Sequence, residues 1–87
     1  MSVVRPSVNL DVAGAQQLER ALNEFDEDVE IDLSDVKFVA SSGLRVMLKA
    51  AQRLKKSGHS VTVSGANDTV LEVFKISGFS TVVTIID

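Results

Sequence analysis

The fold of this chain is decided by the stretch Ile31-Asp32-Leu33-Ser34-Asp35-Val36-Lys37-Phe38-Val39-Ala40-Ser41-Ser42-Gly43-Leu44. An apolar strand pattern leads into two serines and a glycine, and an amphipathic helical pattern begins immediately afterwards. We therefore expect two hydroxyl groups at the N-terminal end of a helix, where the helix dipole favours an anion such as a phosphate. The sequence thus predicts a surface whose binding properties would change with one added charge.

The helix that follows the serines has the clearest periodicity in the chain. Its predicted core stripe is Leu44, Met47, Leu48, Ala51 and Leu54, and its opposite face carries Arg45, Lys49, Gln52 and Lys56, with Arg53 beside them. Residues 37–58 contain six basic residues and no acid, although the net charge of the chain is −3. This basic face is either a solvated surface or a docking surface for an acidic partner.

Strand and helix patterns alternate on both sides of this stretch. Strands are expected at Val3-Val4 and at residues 29–33, 60–64 and 81–86, with a short extended piece around Val8-Asn9-Leu10. One further helix should follow the N-cap Asp11, and another should end at Gly78. Such alternation predicts an α/β sheet with right-handed crossovers. We expect a single domain over residues 1–87, with a mostly parallel, mixed sheet of about four strands and three main helices.

Composition excludes several kinds of chemistry. The chain has no cysteine, and His59, expected in an exposed loop, is the only histidine, so we expect no metal site, no cofactor and no histidine-based catalysis. No apolar run is long enough to span a bilayer and no signal peptide is apparent, which favours the cytoplasm and no membrane insertion. The acidic balance and the lack of Trp and Tyr argue against nucleic-acid binding. Asp35 is expected to serve a turn rather than a carboxylate pair with Asp32.

The central stretch resembles the signature of the STAS domain, the fold of bacterial anti-sigma factor antagonists. That signature is an apolar strand ending in Asp-Leu-Ser, a short apolar stretch, and Asp-Ser-Ser/Thr-Gly-Leu at the start of a helix. Similar family features are Asn9-Leu10-Asp11 before the first helix, the turn from Gly58 to Val63, and Ile76-Ser77-Gly78-Phe79 at the closing helix. The resemblance covers almost the whole chain.

The resemblance implies a regulatory role for the serines. In the family, a partner serine kinase, which is usually also an anti-sigma factor, phosphorylates the first serine, and a PP2C-type phosphatase reverses the modification. By position this serine is Ser41, with Ser42 as the alternate. The implied partner-binding residues are Ser41, Ser42, Gly43, Arg45 and Lys49, and the protein is expected to be a monomer or weak dimer without catalytic activity.

Three other interpretations stay open from the sequence. Ser41-Ser42-Gly43 is also what a simple helix N-cap would look like. The chain has Ala40 where the family has an aspartate, which suits a constitutive STAS subunit of another assembly, such as chemotaxis or biofilm signalling or a lipid-transport ATPase. A small serine hydrolase is the enzymatic alternative, but the chain lacks a Gly-x-Ser-x-Gly elbow and offers only one histidine as a base.

Overall fold

The computed structural model describes residues 1–81 and 83–86. Strands and helices alternate in the order β1 (Ser2–Val4), α1 (Val12–Leu22), β2 (Val29–Asp32), α2 (Ser41–Lys56), β3 (Val61–Ser64), α3 (Asp68–Ser77), a 3-10 helix (Phe79–Thr81) and β4 (Thr84–Ile85). The α/β class with four strands and three helices is therefore confirmed. The strand predicted over residues 81–86 is shorter than expected, because Thr81 ends the 3-10 helix; Val82 lies outside the described residues.

The four strands form one sheet in the order β1-β2-β3-β4. All three strand pairs are parallel, so the expected mixed sheet is corrected to a parallel one in the described residues. The predicted extended piece at residues 8–10 is reduced to a single parallel bridge between Leu10 and Val39. Every strand is followed in space by the next strand of the chain, and right-handed crossovers then place all three helices on the same side of the sheet.

The burial of the strands agrees with this two-layer arrangement. On β2 and β3, one face is buried under the helices and consists of Val29, Ile31, Val61 and Val63. The other face follows from the register, which aligns Val3, Glu30, Thr62 and Thr84 across the sheet. None of these four side chains is buried. One face of the sheet is therefore open to solvent.

The helices bury their apolar stripes against the covered face of the sheet. Met47 and Leu54 of α2 are fully buried, as expected for the core stripe, whereas Leu44 and Leu48 are only partly buried at its margin. Phe74 of α3 stacks on Phe79 with ring centroids 4.4 Å apart. Such stacking stabilises the fold beyond the effect of burying the two rings. This contact joins the C-terminal part of the chain to the common core.

Side chains fix both ends of α1. Asp11 is the N-cap of α1, as expected, and its Oδ1 accepts the Gly14 N–H at 2.9 Å. Arg53 was expected beside the basic face of α2, but its side chain lies against the end of α1. There its guanidinium donates to the carbonyls of Leu22 (2.9 Å) and Phe25 (3.0 Å). It thus satisfies backbone groups at the C-terminal end of α1, where a cation also suits the helix dipole.

Two helical glycines allow the segment at Asn9 and Leu10 to lie against both α1 and α2. A Cβ on Gly14 would stand 2.1 Å from the Asn9 carbonyl oxygen. A Cβ on Gly43 would stand 2.8 Å from the Leu10 Cβ and 3.0 Å from the Leu10 carbonyl oxygen. The distances of 2.1 Å and 2.8 Å are too short for a real Cβ atom, so these helices approach the segment only because each has a glycine there.

We expect Gly43→Ala to destabilise the protein by about 1–3 kcal/mol, because the added methyl group would overpack the contact with Leu10. In an exposed helix the same change stabilises by roughly 1 kcal/mol, so the sign of the effect tests the packing. Urea unfolding measures it. A gain in stability would show that α2 does not lie against Leu10 in this way.

Candidate functional site

The candidate site lies at the carboxyl ends of β1 and β2, where the segments after these strands meet the start of α2. Ser41 is the first residue of α2 and is exposed. The N-cap is Ala40, whose extended backbone (φ −81°, ψ 170°) carries no side chain able to bond the first helical N–H groups. The simple interpretation of Ser41 as a side-chain N-cap is therefore wrong.

Two asparagines hold the segment that leads to Ser41. Asn9 Oδ1 accepts the N–H of Lys37 at 2.8 Å and that of Phe38 at 3.4 Å. From the other side, Asn67 Nδ2 donates to the carbonyls of Val36 (3.4 Å) and Lys37 (3.0 Å). Asn67 also caps α3, because its Oδ1 accepts the Val70 N–H at 2.9 Å. The segment before Ser41 is thus fixed from two sides.

Backbone pairing completes this support. The Leu10 N–H donates to the Phe38 carbonyl at 3.2 Å, and the Ala40 N–H donates to the Leu10 carbonyl at 2.9 Å. The sequence pattern places Asn9 before the first helix but predicts no role for Asn9 or Asn67 in holding the segment before Ser41. Their shared role depends on contacts across about 30 residues of sequence, which no local pattern reveals.

The two serines differ in accessibility. Ser41 is exposed, whereas Ser42 is half-buried and its Oγ has almost no accessible surface. This Oγ has no hydrogen-bond partner among the residues that the structure describes. An enzyme that modifies a hydroxyl group in the folded domain would therefore reach Ser41 and not Ser42.

The other predicted partner-binding residues are divided by the fold. Gly43 is buried against Leu10 and Val39, where it lets α2 pack closely, and its predicted contact with a partner stays a prediction. Arg45 and Lys49 are exposed and line a shallow depression of about 190 Å³ between α1 and α2. Ser42 and Val12 line the same depression, so the cations are next to the serine pair.

Exposed apolar side chains surround the start of α2. Val12 is 65% exposed, Phe38 45% and Val8 41%. They belong to the segments that the Leu10–Val39 bridge joins. Exposed apolar groups beside charged ones are typical of a protein-binding surface rather than of a pocket for a small molecule.

A second polar cluster lies behind the site at the end of β2. Asp32 Oδ1 accepts the Ser34 N–H at 2.9 Å and also the Ser34 hydroxyl, while Arg5 Nε lies 3.9 Å from Asp32 Oδ2 and 3.2 Å from Asp35 Oδ2. The pKa of Asp32 is lowered from its ordinary value of 3.8. The main cause is the hydrogen bond from the Ser34 hydroxyl, followed by the one from the Ser34 N–H, and the Arg5 charge adds a smaller effect. Asp35 lies in the turn after β2, as expected, and its carboxylate also forms an ion pair with Arg5.

His59 lies at the opposite end of the sheet. Its Nδ1 is 3.6 Å from Asp28 Oδ1, and its side chain is half-buried rather than exposed as expected. Within residues 1–81 and 83–86, no group of three His, Cys, Asp or Glu side chains is placed to bind a metal ion. No helix of this part of the chain is long and apolar enough to cross a membrane.

Comparison with known proteins agrees with the geometry. The family model described as "Mlab, STAS domain" matches residues 2–86. The chain belongs to the STAS domain family. The protein named "Putative anti-sigma factor antagonist BtrV" of Bordetella bronchiseptica is 35% identical to this STAS domain over 71 residues, which cover 77% of this chain and 61% of that protein. The matched region thus spans only about three fifths of that relative.

Two solved structures share the fold of this STAS domain. A "putative anti-sigma factor antagonist" from Thermotoga maritima superposes with a TM-score of 0.89 and 22% identity, covering 98% of this chain and 77% of that one. The anti-sigma factor antagonist SpoIIAA, in its unphosphorylated form, gives a TM-score of 0.77 and 16% identity, covering 99% and 79%. At these identities the likeness concerns the fold.

We expect Ala40→Asp to stabilise the STAS domain by about 1 kcal/mol, because a carboxylate at the N-cap would accept a hydrogen bond from the first turn of α2. Thermal or urea unfolding measures the gain. The control is Ala40→Val, which has no acceptor and should give no gain. Equal effects of the two changes would contradict the capping geometry.

We also expect Asp32 to make stability depend on pH. Since its folded pKa is lowered, its contribution is complete above the unfolded pKa and disappears as the pH falls through the folded value. Asp32→Asn should therefore reduce stability at neutral pH and flatten the loss of stability in the acidic range. Asp26→Asn, in the exposed loop after α1, is the matched control, and urea unfolding at several pH values is the measurement. An unchanged acid profile in Asp32→Asn would contradict this assignment.

Proposed function

We propose that this STAS domain is a partner-switching module of the anti-sigma factor antagonist type. In its unphosphorylated form it binds a serine kinase that also acts as an anti-sigma factor, phosphorylation of Ser41 releases that partner, and a PP2C-type phosphatase restores binding. The module has no catalytic activity of its own and acts in the cytoplasm. The observation that carries the proposal is the exposed Ser41 at the first position of α2, in a domain related to anti-sigma factor antagonists.

The position of Ser41 suits a reversible charge. A phosphoryl group would add about −1.5 to −2 charge and three acceptor oxygens. At the first helical position those oxygens face unpaired backbone N–H groups, and the helix dipole stabilises them by about 0.3–1 kcal/mol. The folded domain therefore tolerates the modification, and the change in free energy falls on the partner complex.

The neighbouring cations explain how the added charge would act. Ser41 and Arg45 are four residues apart on α2, so their side chains are neighbours on one face. Without phosphate, Arg45 and Lys49 give this surface a positive charge that fits an acidic partner. A phosphate on Ser41 would engage Arg45 and bring negative charge to the same place. A loss of about 3 kcal/mol would reduce affinity more than a hundredfold.

The test is a pull-down from a lysate of the source organism, followed by a binding measurement with the captured protein. The baits are the wild type, Ser41→Ala, Ser41→Asn and Ser41→Asp. We expect the first three to hold a protein with serine-kinase activity and Ser41→Asp to bind it at least about tenfold more weakly. Lys75→Gln makes the same change of net charge in the last turn of α3, away from this surface, and should retain the partner.

The stability of Ser41→Asp separates a binding effect from misfolding. We expect its melting temperature to equal or exceed that of Ser41→Asn, because the aspartate lies at the positive end of α2. Equal binding by all four baits would overturn the switch. Labelling of Ser41 by a fluorophosphonate would overturn the statement that the module is not an enzyme.

A second candidate is a constitutive STAS subunit of a larger assembly, in which the same surface binds a partner without phosphorylation. Ala40 favours it, because the family aspartate before the serine is absent here. The family model described as "Mlab, STAS domain" also fits this candidate, since the resemblance includes STAS components of lipid-transport ATPases. A stable complex that survives Ser41→Asp, with no phosphate on Ser41 by mass spectrometry, would identify this function.

A further inference from the structure

The open face of the sheet is unusual for a parallel sheet. Such sheets occur almost only where helices cover both faces, yet here α1, α2 and α3 all lie on one side. Val3 of β1 is 57% exposed on the other side. Thr84 of β4, which the register places on the same face, is exposed as well. The domain therefore has two layers where three are usual.

The open face is acidic along its centre. Glu30 and Asp32 point to this face from β2, and Asp28 precedes them with the same alternation. Consecutive members of this acidic column are two residues apart, or about 6.6 Å. Beside it on β3 are hydroxyl groups, and the Ser64 hydroxyl donates to Glu30 Oε2 at 2.7 Å. Among the described residues, two basic side chains lie within 4.0 Å of the column: Arg5 Nε is 3.9 Å from Asp32 Oδ2, and His59 Nδ1 is 3.6 Å from Asp28 Oδ1.

The opposite side of the domain carries the complementary charge. Arg45, Lys49, Lys55 and Lys56 are exposed on α2. None of them lies within 4.0 Å of a carboxylate among the described residues. Arg53 does not belong to this set, because it is committed to the carbonyls at the end of α1. Glu19 of α1 lines the depression beside Arg45 and Lys49 but is not ion-paired with either, so the basic side of α2 keeps a net positive charge.

The geometry points to head-to-tail association of this chain, in which the basic side of α2 of one copy lies on the acidic column of the next. Arg45 and Lys56, the ends of the basic side, are about 16 Å apart along α2, and Asp28 and Asp32 are about 13 Å apart. The two charged rows therefore have similar lengths. The helix of the second copy would supply the missing third layer over the sheet.

This association has two physical consequences. The contact joins different surfaces of the two copies, so a third copy can add in the same way and the assembly does not close at two. The contact is mainly electrostatic, so it should be strong in dilute salt and weak when the Debye length falls from about 30 Å to about 3 Å. A phosphate on Ser41 would weaken this contact as well, because it would engage Arg45 of the basic side, so the association is expected of the unphosphorylated chain.

The experiment is analytical ultracentrifugation of the intact chain over a range of concentrations, in about 0.01 M and about 1 M salt. We expect the average mass to rise with concentration in dilute salt and to fall to that of the monomer in concentrated salt. Thr62→Lys places a cation in the open face, and Lys49→Glu places an anion on α2. Each change should weaken association by roughly tenfold or more.

Matched variants remove the effect of net charge. Thr69→Lys and Lys75→Glu make the same charge changes at exposed positions of α3, and both should associate like the wild type. A mixture of Thr62→Lys with Lys49→Glu should regain association, because each supplies the surface that the other lacks. Circular dichroism checks that each variant is folded.

Monomeric wild type at every concentration in dilute salt would overturn the inference. Equal losses in the α3 variants would also overturn it, because net charge rather than the two surfaces would then be responsible. A dimer that persists in concentrated salt would show an apolar contact and contradict the electrostatic one. These outcomes leave the partner experiment with Ser41 unaffected, so the two proposals are tested separately.

Discussion

The packing of Asn9 and Leu10 between two helices and the segment before Ser41 is the constraint on which the site depends. Gly14 and Gly43 lack the Cβ atoms that would push α1 and α2 away from these residues. With the helices this close, Leu10 pairs through its backbone with Phe38 and Ala40, and Asn9 Oδ1 accepts the N–H groups of the same segment. The first residue of α2 is thereby held at a fixed place on the surface, although no side chain caps the helix.

The fixed position of Ser41 suits the proposed control of this surface by one charge. A reversible modification changes binding most effectively when the folded domain does not rearrange, because the whole electrostatic change then acts on the partner. Ser41 is exposed, whereas the adjacent Ser42 directs its hydroxyl group into the domain. Two neighbouring hydroxyl groups of identical chemistry are thus given different accessibility by the direction in which the helix turns.

The direction of chain crossing has a separate effect on charge. Because each strand is followed by its parallel neighbour, the helices collect on one side and leave the sheet open on the other. The acidic residues around β2 then lie on one side of the domain, and the basic residues of α2 lie on the other. The acidic and basic residues occupy different parts of the sequence, and the fold places these two parts on opposite sides of the domain. Arg53 is the exception, since backbone carbonyls of α1 draw it away from the basic side.

The sequence by itself determined the α/β class, the order of the elements, the buried positions Met47, Ala51 and Leu54 of α2 and the capping role of Asp11, because these follow from periodicity and from hydrogen bonds within a few residues. It also determined the relationship to the STAS family through the stretch around Ser41. Only the tertiary structure decided that the sheet is wholly parallel in the described strands, that Gly43 is a packing residue, and that Asn9 and Asn67 hold the site. The physical reason is distance along the chain: these features depend on contacts between residues about 30 positions apart, and a local pattern carries no information about such partners.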